Sequence, residues 1–462
     1  MKIHIIGICG TFMCGLARLA RDSGIQVSGS DANTYPPMST QLESLGITLH
    51  EGYRAENVDL EADIVVVGNS ISRGNPELEY VLERGLAYTS GAQWLAENIL
   101  QGRWVLAVAG THGKTTTSSM LAWILEDNQL APGYLIGGVP ENLGESARLG
   151  DVKHSPFFVI EADEYDTAFC DKRSKFVHYR PRTLVLNNLE FDHADIFPDL
   201  AAIQTQFNHL LRTVPGSGLV IHNQQSCAID EVLTSANWSQ TVSFGRPDSD
   251  WKVTKTQADA SQFTILHDDQ SYPLRWNLIG DHNMYNAVAA VAAAHHVGIT
   301  IALAVESLAS FKSVKRRMEL IYEDSQVRVF DDFAHHPTAI TETLNGLRNS
   351  VDDETIIAVL EPRSNTMKQG IHKHLLADAL QSANKSLIYA DSHVLWDIAE
   401  LENEEIQSFD NTKALLNCLS ETYQNAVRQS SSAAVNTRIN IIIMSNGSFE
   451  NLHQRLIKLI QG

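Results

Sequence analysis

Residues 110–117 (GTHGKTTT) combine glycines, a lysine and threonines in the pattern of a phosphate-binding loop. They follow the apolar run 104–109 and precede the apolar segment 120–125, so they are predicted to join a buried strand to a helix. Backbone N–H groups of such a turn and of the following helix point at phosphate oxygens. The pattern therefore predicts an ATP site in which Lys114 bridges the β- and γ-phosphates and Thr115 reaches Mg²⁺.

The spacing of these glycines differs from that of the common P-loop, which has a glycine where this chain has Val108. The first glycine here is Gly110, which is closer to Gly113. The tighter loop indicates a branch of ATP-binding proteins other than the GTPases. An ordinary glycine turn is the alternative, and the flanking strand, the helix and the Lys-Thr pair disfavour it.

A cluster of carboxylates in residues 161–166 (EADEYD) follows the apolar run 157–160. A charged loop is usually just solvated, but a position at the end of a buried strand beside a phosphate loop favours Mg²⁺ binding through oxygen ligands. We expect Glu161, the acid nearest the strand, to be the ligand. The other acids of the segment are also suited to capping a helix.

The next apolar run, 183–186, leads into residues 187–195 (NNLEFDHAD). A single histidine is normally a structural residue. Here Asp192 and Asp195 flank His193 at a predicted strand end, which favours a role in binding a second metal ion or a phosphate. Two Mg²⁺ ions would shield the charge of a transferring γ-phosphate from an incoming carboxylate.

Two asparagines, Asn283 and Asn286, lie on one face at the start of an alanine-rich segment that is predicted to be helical. They are suited to presenting amides to adenine or to capping the helix, and the residues alone favour the cap. Further along, Lys315, Arg316 and Arg317 lie near a predicted domain junction. A hinge that contacts the ligand and a solvated linker are equally good interpretations of these three cations.

Two further polar segments each follow a predicted strand: DDFAHHPT begins at Asp331 and EPRSNTMK begins at Glu361. Asp331, His335 and His336 are positioned for ribose hydroxyls or for a substrate. Arg363 is suited to binding a carboxylate through two hydrogen bonds. A surface loop is the alternative in both places, and the adjacent strand ends disfavour it.

The first residues of the chain predict a Rossmann-like βαβ unit. A strand at 2–6 is followed by a turn with Gly7, Gly10 and Gly15, and a second strand ends at Asp31. The glycine spacing is not G-x-G-x-x-G, so the turn is weak evidence for a dinucleotide. A nucleotide diphosphate bound at the helix N-terminus is equally compatible.

Length and the order of the apolar runs predict an α/β protein of three domains. We expect a Rossmann-like domain at 1–103, a central P-loop-type ATPase domain at 104–312 and a second Rossmann-like, doubly wound domain at 313–462. Within the central domain, the polar stretch 223–276 is expected to be an antiparallel insertion. The remaining predicted elements are a helix at 16–22 and strands at 26–30, 64–67, 327–330, 356–360, 387–390 and 439–444.

Composition narrows the classes of function. A net charge of −20 without a Lys/Arg-rich stripe disfavours nucleic acid as a partner, and no apolar run approaches the ~20 residues of a membrane helix. The first residues enter a strand directly, which argues against a signal peptide, and the five cysteines include no C-x-x-C pair. We expect a cytoplasmic protein with reduced thiols that acts on small molecules; the sequence predicts no oligomeric state.

Together these motifs resemble those of the Mur ligases, the ATP-dependent amide-bond-forming enzymes of bacterial cell-wall synthesis. GTHGKTTT, EADEYD, LEFDHAD, DHNMYN and DDFAHHPT occur in the order and spacing of that family, over essentially the whole chain. GICGTFM, SDANTYPPMST, EADEYDTAFCDKRSKFVHY and EPRSNTMK are similar to the branch that recycles cell-wall peptides. The resemblance implies ligation of UDP-N-acetylmuramate to L-Ala-γ-D-Glu-meso-diaminopimelate through an acyl phosphate, with ADP and phosphate as products.

The family places UDP on the first domain, ATP on the second and the incoming peptide against the third. The attacking amine has to lose a proton to some group, for which His336 is a candidate. The implied contacts are Gly110, Thr111, His112, Gly113, Lys114, Thr116, Asn283, Asn286, Arg317 and Asp331 or Asp332 for ATP; Thr115 and Glu161 for one Mg²⁺ and His193 for the second; Gly7, Gly10, Gly15, Asp31 and Ser70 for the UDP moiety; His335 or His336 for the muramoyl group; and Arg363 for the peptide.

The sequence departs from the family pattern in two places. Several Mur ligases have a carbamoylated lysine downstream of the Asp-His pair, but residues 204–208 contain no lysine, which fits the muramate-ligating branch. The diaminopimelate-adding ligase has an Asp-Asn-Pro-Arg motif, whereas residues 361–365 are EPRSN. If Arg363 binds the diaminopimelate end, it does so in a different arrangement.

Other functions stay open at this point. The nearest is the same chemistry with free L-alanine as the acceptor, and a folate polyglutamate synthase-like ligase would leave the N-terminal nucleotide-binding block unexplained. A non-catalytic UDP-sugar sensor that uses ATP as a switch would not require Lys114, Thr115, Glu161 and His193 together. An NAD-dependent dehydrogenase built on residues 7–31 is a further alternative.

Overall fold

The structure, a computed structural model, describes residues 1–34, 38–432 and 438–461. The middle of the segment SDANTYPPMST, residues 35–37, therefore lies outside the described residues. Three large sheets follow one another along the chain, and a small antiparallel sheet of three strands is attached to the second. Apolar runs form the inner strands, because a strand covered by helices on both faces has no solvent-exposed side.

The first sheet has five parallel strands in the order β3-β2-β1-β4-β5. Its fourth strand in sequence, β4, matches the predicted strand at 64–67, whereas β3 was not predicted because its residues are exposed or only partly buried. The first helix begins within the predicted turn. The bounds are β1 (Lys2–Ile6), β2 (Gln26–Asp31), β3 (Thr48–Glu51), β4 (Ile64–Val67), β5 (Tyr88–Ser90), α1 (Thr11–Asp22), α2 (Met38–Ser44), α3 (Pro76–Arg84) and α4 (Gly91–Leu95).

The second sheet has seven strands in the order β14-β13-β12-β6-β9-β7-β8, and only the edge strand β8 is antiparallel. The phosphate loop follows β6, and the two acidic segments begin at the carboxyl ends of β9 and β12, which are the two neighbours of β6 in the sheet. The bounds are β6 (Trp104–Ala109), β7 (Gly133–Leu135), β8 (Ala147–Arg148), β9 (Phe157–Ala162), β12 (Thr183–Leu186), β13 (Leu219–Asn223), β14 (Gln240–Phe244), α5 (Lys114–Asp127), α6 (Leu200–Leu211), α7 (Cys227–Ser235), α8 (Asp281–His296) and α9 (Ile301–Ala309).

Two smaller β units extend this second part of the chain. A hairpin of β10 (Asp166–Ala168) and β11 (Asp171–Ser174) directly follows the acidic segment. The small antiparallel sheet contains β15 (Lys252–Lys255), β16 (Gln262–His267) and β17 (Gln270–Arg275). The antiparallel insertion predicted at 223–276 is therefore confirmed only from residue 252 onwards, because β14 continues the parallel sheet.

The third sheet has six strands in the order β18-β19-β23-β20-β21-β22, and β18 is antiparallel to its neighbour. The central strand β23 (Ile439–Met444) is buried at every position, as its apolar sequence INIIIM predicts. The other bounds are β18 (Glu319–Glu323), β19 (Val327–Asp332), β20 (Thr355–Leu360), β21 (Lys385–Tyr389), β22 (Ile406–Phe409), α10 (Pro337–Val351), α11 (Asn365–Lys368), α12 (Lys373–Leu380), α13 (Thr412–Ser432) and α14 (Leu452–Gln461).

Candidate active site

The phosphate loop lies between β6 and α5, and its two glycines are sterically required. Gly110 and Gly113 have φ values of +142° and +79°, which L-residues with side chains rarely adopt. A Cβ at Gly113 would lie 2.5 Å from Asn286 Oδ1, and one at Gly110 would lie 3.0 Å from the Asn188 carbonyl oxygen. Asn188 also fixes the loop, because its side-chain oxygen accepts a hydrogen bond of 2.7 Å from the His112 N–H. The predicted strand–turn–helix context is present.

The Lys114 ammonium points back across this loop. It donates hydrogen bonds of 2.6 Å to the Gly110 carbonyl and 2.8 Å to Glu164 Oε2, with a longer contact of 3.3 Å to the Thr111 carbonyl. Burial lowers the pKa of Lys114, but the carboxylates of Glu164, Asp163 and Glu161 together outweigh burial and leave the pKa above its ordinary value. The cation is thus charged and held where phosphate oxygens are expected.

Thr115 and Glu161, both predicted as metal ligands, are in contact. The Thr115 hydroxyl donates to Glu161 Oε1 at 3.0 Å, and Glu161 Oε2 accepts from the Gly137 N–H at 2.7 Å. Burial raises the pKa of Glu161, even though Lys114 acts in the opposite direction. A hydroxyl and a partly buried carboxylate beside a phosphate loop are the hard oxygen donors that Mg²⁺ prefers, so the residues fit this ion.

His193 is part of a second group of potential ligands. Its Nε2 lies 3.0 Å from Glu164 Oε1, and one ligand atom from each of Asp163, Glu164 and His193 lies within 4.8 Å of the others. Burial raises the pKa of Asp163, but Lys175, Lys114 and His193 together lower it to about 2. His193 itself has a φ of +56°, an uncommon backbone conformation for a histidine. These donors fit a second divalent cation.

Glu164 connects the two parts of the site, although nothing in the residue pattern distinguishes it from the other acids of 161–166. Its side chain is 2% exposed and contacts both Lys114 and His193. A carboxylate is rarely so buried unless it is paired. A partial signal was present in the sequence, because a cluster of acids directly after a buried strand makes at least one buried acid expected.

Asn286 lies close to the phosphate loop, inside a buried hydrogen-bond network. Its Oδ1 accepts from the Thr117 hydroxyl at 3.0 Å and from Asn187 Nδ2 at 3.2 Å. Asn283 donates to the carbonyl of Ile279, just before its own helix, at 2.8 Å. The structure thus brings helix α8 to the loop, while the predicted adenine contacts of the two asparagines stay a prediction. Thr116 is buried in the first turn of α5.

Of the three basic residues at the start of the third part of the chain, Lys315 is exposed, whereas Arg316 and Arg317 are partly buried and contact other side chains. Arg317 lies over the Phe333 ring at 4.8 Å, and its charge acts on both Glu161 and Asp332. Arg316 pairs instead with Asp331 at 3.2 Å. Burial lowers the pKa of Arg317, and no side chain in the described part of the chain accepts a hydrogen bond from its guanidinium. This free cation suits the predicted ATP contact.

The carboxylate of Asp331 is already engaged by protein. Asp331 is the second-last residue of β19 and does not follow that strand, whereas the sequence predicts that it does. Its carboxylate pairs with Arg316 and, at 3.1 Å, with His453 Nε2. Its neighbour Asp332 accepts from the backbone N–H groups of Met318 and Ala334 at 2.8 Å each. A ribose contact by either residue therefore stays a prediction.

A cavity of about 370 Å³ lies where the segments after β9 and β12 meet those after β19 and β20. His335 and Arg363, both predicted to bind substrate, lie on its wall, as does His193. The Arg363 side chain is only half-buried and contacts Glu361 at 3.4 Å. The remaining lining residues are Tyr165, Asp192, Asp195, Phe333, Ser364, Asn365, Thr366 and Asn446.

The two adjacent histidines of DDFAHHPT have different hydrogen-bond states. His335 Nδ1 lies 2.9 Å from the Phe333 carbonyl, which only accepts, so Nδ1 carries the proton and Nε2 is left as an acceptor. Burial lowers the pKa of His335 to about 4, which keeps the ring neutral near pH 7. His336 Nδ1 accepts from the Thr338 N–H at 3.3 Å and caps α10, so the proton of the neutral ring is on Nε2. His335 is the one with a free acceptor nitrogen.

His336 lies beside the phosphate loop, away from the wall of the cavity. Its ring is 4.8 Å from that of His112, and its Nδ1 is 3.6 Å from Glu190 Oε2. Burial lowers the pKa of His336 to about 3. The predicted role of His336 in accepting the amine proton stays a prediction, and the geometry favours His335 for that role.

The glycine turn forms an open loop at the carboxyl end of β1, the central strand of the first sheet. Gly7 has a φ of +82°, and its N–H donates to the Ser30 carbonyl at 2.8 Å, while Gly10 precedes the first turn of α1. Asp31 stabilises this loop by accepting from the Cys9 N–H at 2.9 Å. Ser70 is exposed at the end of the neighbouring strand β4. The N–H groups of residues 7–10 all donate within the protein, whereas no side chain of the described residues caps the first turn of α1, which is thus the part suited to an anion.

Gly15 does not belong to this loop. It is buried inside α1, and a Cβ there would lie 2.4 Å from Leu135 Cδ1 and 3.3 Å from Ala147 Cβ. The missing side chain lets the helix pack closely on β7 and β8. The structure therefore replaces the predicted UDP contact of Gly15 by a packing role.

Within the described ranges, no helix combines the length and the apolar character that crossing a bilayer demands.

Comparisons with known proteins agree with this geometry. Three family models match the chain: the Mur ligase family catalytic domain at residues 2–103, the Mur ligase middle domain at 108–294 and the Mur ligase glutamate ligase domain at 316–428. The chain belongs to the Mur ligase family. The family predicted from the motifs is confirmed, as is the three-part α/β architecture, and this Mur ligase is an ATP-dependent amide-bond ligase.

Two curated relatives of this Mur ligase differ in the acceptor that their names state. A UDP-N-acetylmuramate–L-alanyl-γ-D-glutamyl-meso-2,6-diaminoheptandioate ligase from Escherichia coli is 50% identical over 99% of this chain and 98% of its own length. A UDP-N-acetylmuramate–L-alanine ligase from Streptomyces coelicolor is 34% identical over 87% of this chain and 84% of its own. Among solved structures, a murein peptide ligase from Psychrobacter arcticus is 44% identical, with a TM-score of 0.74 over 100% of this chain and 98% of its own.

Proposed function

We propose that this Mur ligase joins UDP-N-acetylmuramate to the tripeptide L-Ala-γ-D-Glu-meso-diaminopimelate, with cleavage of ATP to ADP and phosphate. The observation that carries this proposal is the 50% identity, over nearly the full length of both chains, to a relative whose name states that reaction. A cavity of about 370 Å³ lined in part by His193, which contacts the Lys114 partner Glu164, gives the acceptor a place near the expected phosphate site. ATP and a nucleotide sugar as substrates also favour the expected cytoplasmic location.

The first chemical step is the activation of the muramoyl carboxylate. A carboxylate oxygen attacks the γ-phosphorus of ATP, the bond to the β-γ bridging oxygen breaks, and ADP leaves with that electron pair. An acyl phosphate results. Lys114 is held at the phosphate loop by Gly110 and Glu164, and its charge stabilises the negative charge of the transferring phosphoryl group. Gly113 and Thr116 would add backbone N–H donors.

Two sets of residues would hold Mg²⁺. Thr115 and Glu161 form one, and His193 with Asp163 and Glu164 forms the other. When bound, the ion neutralises phosphate charge and thereby lowers the barrier for the attack of an anion on an anion. Arg317 adds a protein cation whose charge acts on Glu161.

In the second step, the free amine of the peptide attacks the acyl carbon and phosphate leaves. The amine must lose a proton as the amide bond forms. His335 Nε2 is an acceptor on the cavity wall, so we assign the proton to this atom. Arg363, on the same wall, would bind a carboxylate of the peptide.

An acyl phosphate is hydrolysed if water reaches it, so the third part of the chain has to close over the site. Several contacts hold it against the segment 190–194. The Thr338 hydroxyl donates to Glu190 at 2.7 Å, and the Thr366 hydroxyl donates to Asp192 at 2.7 Å. His372 Nε2 donates to the Phe191 carbonyl at 3.1 Å. The segment 190–194, which carries His193, is therefore also the surface on which the third part of the chain docks.

A second candidate is ligation of free L-alanine to the same donor, which the 34% identical relative favours. The first half of the reaction would be the same, so the two candidates differ only in what occupies the cavity. The sensor and dehydrogenase alternatives would leave the phosphate loop, its buried ion pair and the second acidic group without a chemical role.

The experiment that tests the proposal is phosphate release with ATP, Mg²⁺, UDP-N-acetylmuramate and the tripeptide, run with the wild type and with Lys114→Ala. We expect release that needs all four components and falls by at least about a thousandfold in the variant. Arg275→Ala, a change at an exposed position of β17, is the control. A Lys114→Ala variant that keeps full activity would contradict the assignment of Lys114 to the phosphate transfer.

A further inference from the structure

Lys175 is a buried cation that the mechanism above does not use. It follows the hairpin β10–β11 and is only 5% exposed. Its backbone N–H donates to the Tyr165 carbonyl at 2.9 Å, which anchors it behind the acidic segment. Burying an ammonium is costly unless it is paired, so its position calls for an explanation.

The surroundings of Lys175 come from two parts of the chain. Its Nζ lies 3.1 Å from Asp163 Oδ2 in the second group of potential metal ligands. It also lies 5.4 Å from the centre of the Phe12 ring and 5.6 Å from that of Tyr165. Phe12 is in the first turn of α1, directly after the glycine loop at Gly7–Gly10. Lys175 therefore bridges the expected diphosphate loop and the phosphate-transfer site.

The ammonium has more donors than the protein satisfies. An ammonium has three N–H donors, and within the described residues Asp163 is its only hydrogen-bond acceptor. The two aromatic faces supply cation–π attraction but no acceptor oxygen. Asp163 also belongs to a group suited to a divalent cation, whose binding would draw its charge away from Lys175. An additional anion is needed at this position during catalysis.

The proposed reaction supplies such an anion. The donor has a diphosphate at one end and a carboxylate at the other, and the carboxylate has to lie next to Lys114 for attack. Phe12 directly follows the loop at Gly7–Gly10, and Asp163 adjoins Glu164, the partner of Lys114, so we expect a donor that spans these two places to pass Lys175. The muramoyl carboxylate is the donor's anionic group at that end.

We propose that Lys175 binds the carboxylate of the nucleotide-sugar donor and thereby selects donors that have one. This inference rests on the proposed function. Lys175 would hold the carboxylate before the phosphoryl transfer, while Lys114 stabilises the phosphate.

The test compares two donors that differ only in the group that Lys175 is proposed to bind. UDP-N-acetylglucosamine has the diphosphate and the sugar but lacks the lactyl ether with its carboxylate. In Lys175→Met, we expect the affinity for UDP-N-acetylmuramate to fall at least about tenfold, as a lost charge-assisted hydrogen bond predicts. Affinities for UDP-N-acetylglucosamine, measured by competition, and for MgATP should change less than about threefold.

Two further variants serve as controls. Lys172→Met removes a lysine from the same hairpin, but that side chain is 71% exposed and pairs with Asp166, so it should leave both affinities unchanged. Lys175→Arg keeps the cation and should restore part of the affinity for UDP-N-acetylmuramate. Unchanged MgATP binding in Lys175→Met shows that the variant is folded.

Several results would overturn the inference. Equal losses for both donors in Lys175→Met would assign the lysine to the diphosphate, and a loss confined to MgATP would assign it to the γ-phosphate. No loss for UDP-N-acetylmuramate, in a preparation whose wild type ligates it, would leave Lys175 with a purely structural role. If the wild type neither binds nor uses UDP-N-acetylmuramate, the proposed function fails and this inference fails with it.

Discussion

Glu164 Oε2 lies 2.8 Å from the ammonium of Lys114, so the lysine of the phosphate loop is paired with a buried carboxylate. The other oxygen of Glu164 lies 3.0 Å from His193 Nε2. One side chain therefore links the residue expected at the γ-phosphate to the residue expected at the second metal ion. Lys114 is kept charged and in place before ATP arrives, which reduces the reorganisation that the reaction requires.

Replacing Glu164 by glutamine should show whether its contacts with Lys114 and His193 contribute to catalysis, because the fold should stay intact. The isosteric change keeps the shape but removes the charge, and breaking a buried ion pair typically costs ~3 kcal/mol. We expect kcat to fall about a hundredfold in Glu164→Gln. Steady-state phosphate release measures it, and Asp166→Asn, which loses only a pair with the exposed Lys172, is the matched control. Similar kcat values for both variants would show that the pair has no catalytic role.

The hydroxyl of Thr115 is predicted to bind Mg²⁺ together with Glu161. Thr115→Val keeps the shape of the side chain and removes the hydroxyl, whereas Thr115→Ser keeps the hydroxyl. We expect the Mg²⁺ concentration for half-maximal activity to rise roughly tenfold in the valine variant and to change little in the serine variant. A titration of activity with Mg²⁺ at saturating ATP gives both values. A shift of the same size in the two variants would argue against a metal contact at this oxygen.

The two adjacent histidines should behave differently in the second step. His335→Ala removes the free acceptor nitrogen on the cavity wall, so amide formation should slow about a hundredfold. Hydroxylamine does not depend on this base, and trapping of the acyl phosphate with it should stay near the wild-type level. His336→Ala removes a helix cap and should mainly lower the free energy of unfolding, by about 1 kcal/mol.

The opposite pattern would contradict this assignment. If His336→Ala slows amide formation while acyl-phosphate trapping is retained, and His335→Ala does not, the proton acceptor is His336, as the sequence predicts.

Glu342 on α10 makes the free energy of unfolding of the protein depend on pH. Burial raises the pKa of Glu342 to about 7, and Glu190 and Asp281 act in the same direction. The folded state therefore binds a proton that the unfolded state releases, and stability is lost as the pH rises from the unfolded pKa through about 7. The charged form should cost about 3 kcal/mol above that range.

Glu342→Gln should thus be more stable than the wild type at pH 8.5 and nearly equal to it at pH 5. Urea denaturation at the two pH values measures the difference. Glu83→Gln, at an exposed position of α3, is the control and should show no such trend. A pH-independent gain in Glu342→Gln would mean that the carboxyl is not protonated in the folded protein near pH 7.

The elements that position the site could be predicted well from local sequence. The apolar runs of β1, β12 and β23 are buried at nearly every position, and such runs between polar residues have few alternatives to a buried parallel strand. The strand β3 was missed because its residues are exposed or only partly buried, so they have no apolar pattern. Pairing with β2 in the edge position, which is a non-local interaction, makes it a strand.

The site was predicted less completely, because its contacts join separate loops. Thr115 and Glu161 lie next to each other as expected, since Thr115 comes after β6 and Glu161 lies near the end of its neighbour β9. The role of Glu164 depends on Lys114 and His193, and no spacing along the chain reveals that it faces both. Gly15 was assigned to a ligand because the sequence does not show that Leu135 packs against it.

The most direct test of the central claim is phosphate release by the wild type with ATP, Mg²⁺ and UDP-N-acetylmuramate, with either the tripeptide or free L-alanine as the acceptor. We predict release with L-Ala-γ-D-Glu-meso-diaminopimelate and none above background with L-alanine. Release with L-alanine alone would move the chain to the alanine-adding branch of the family and contradict the proposed acceptor.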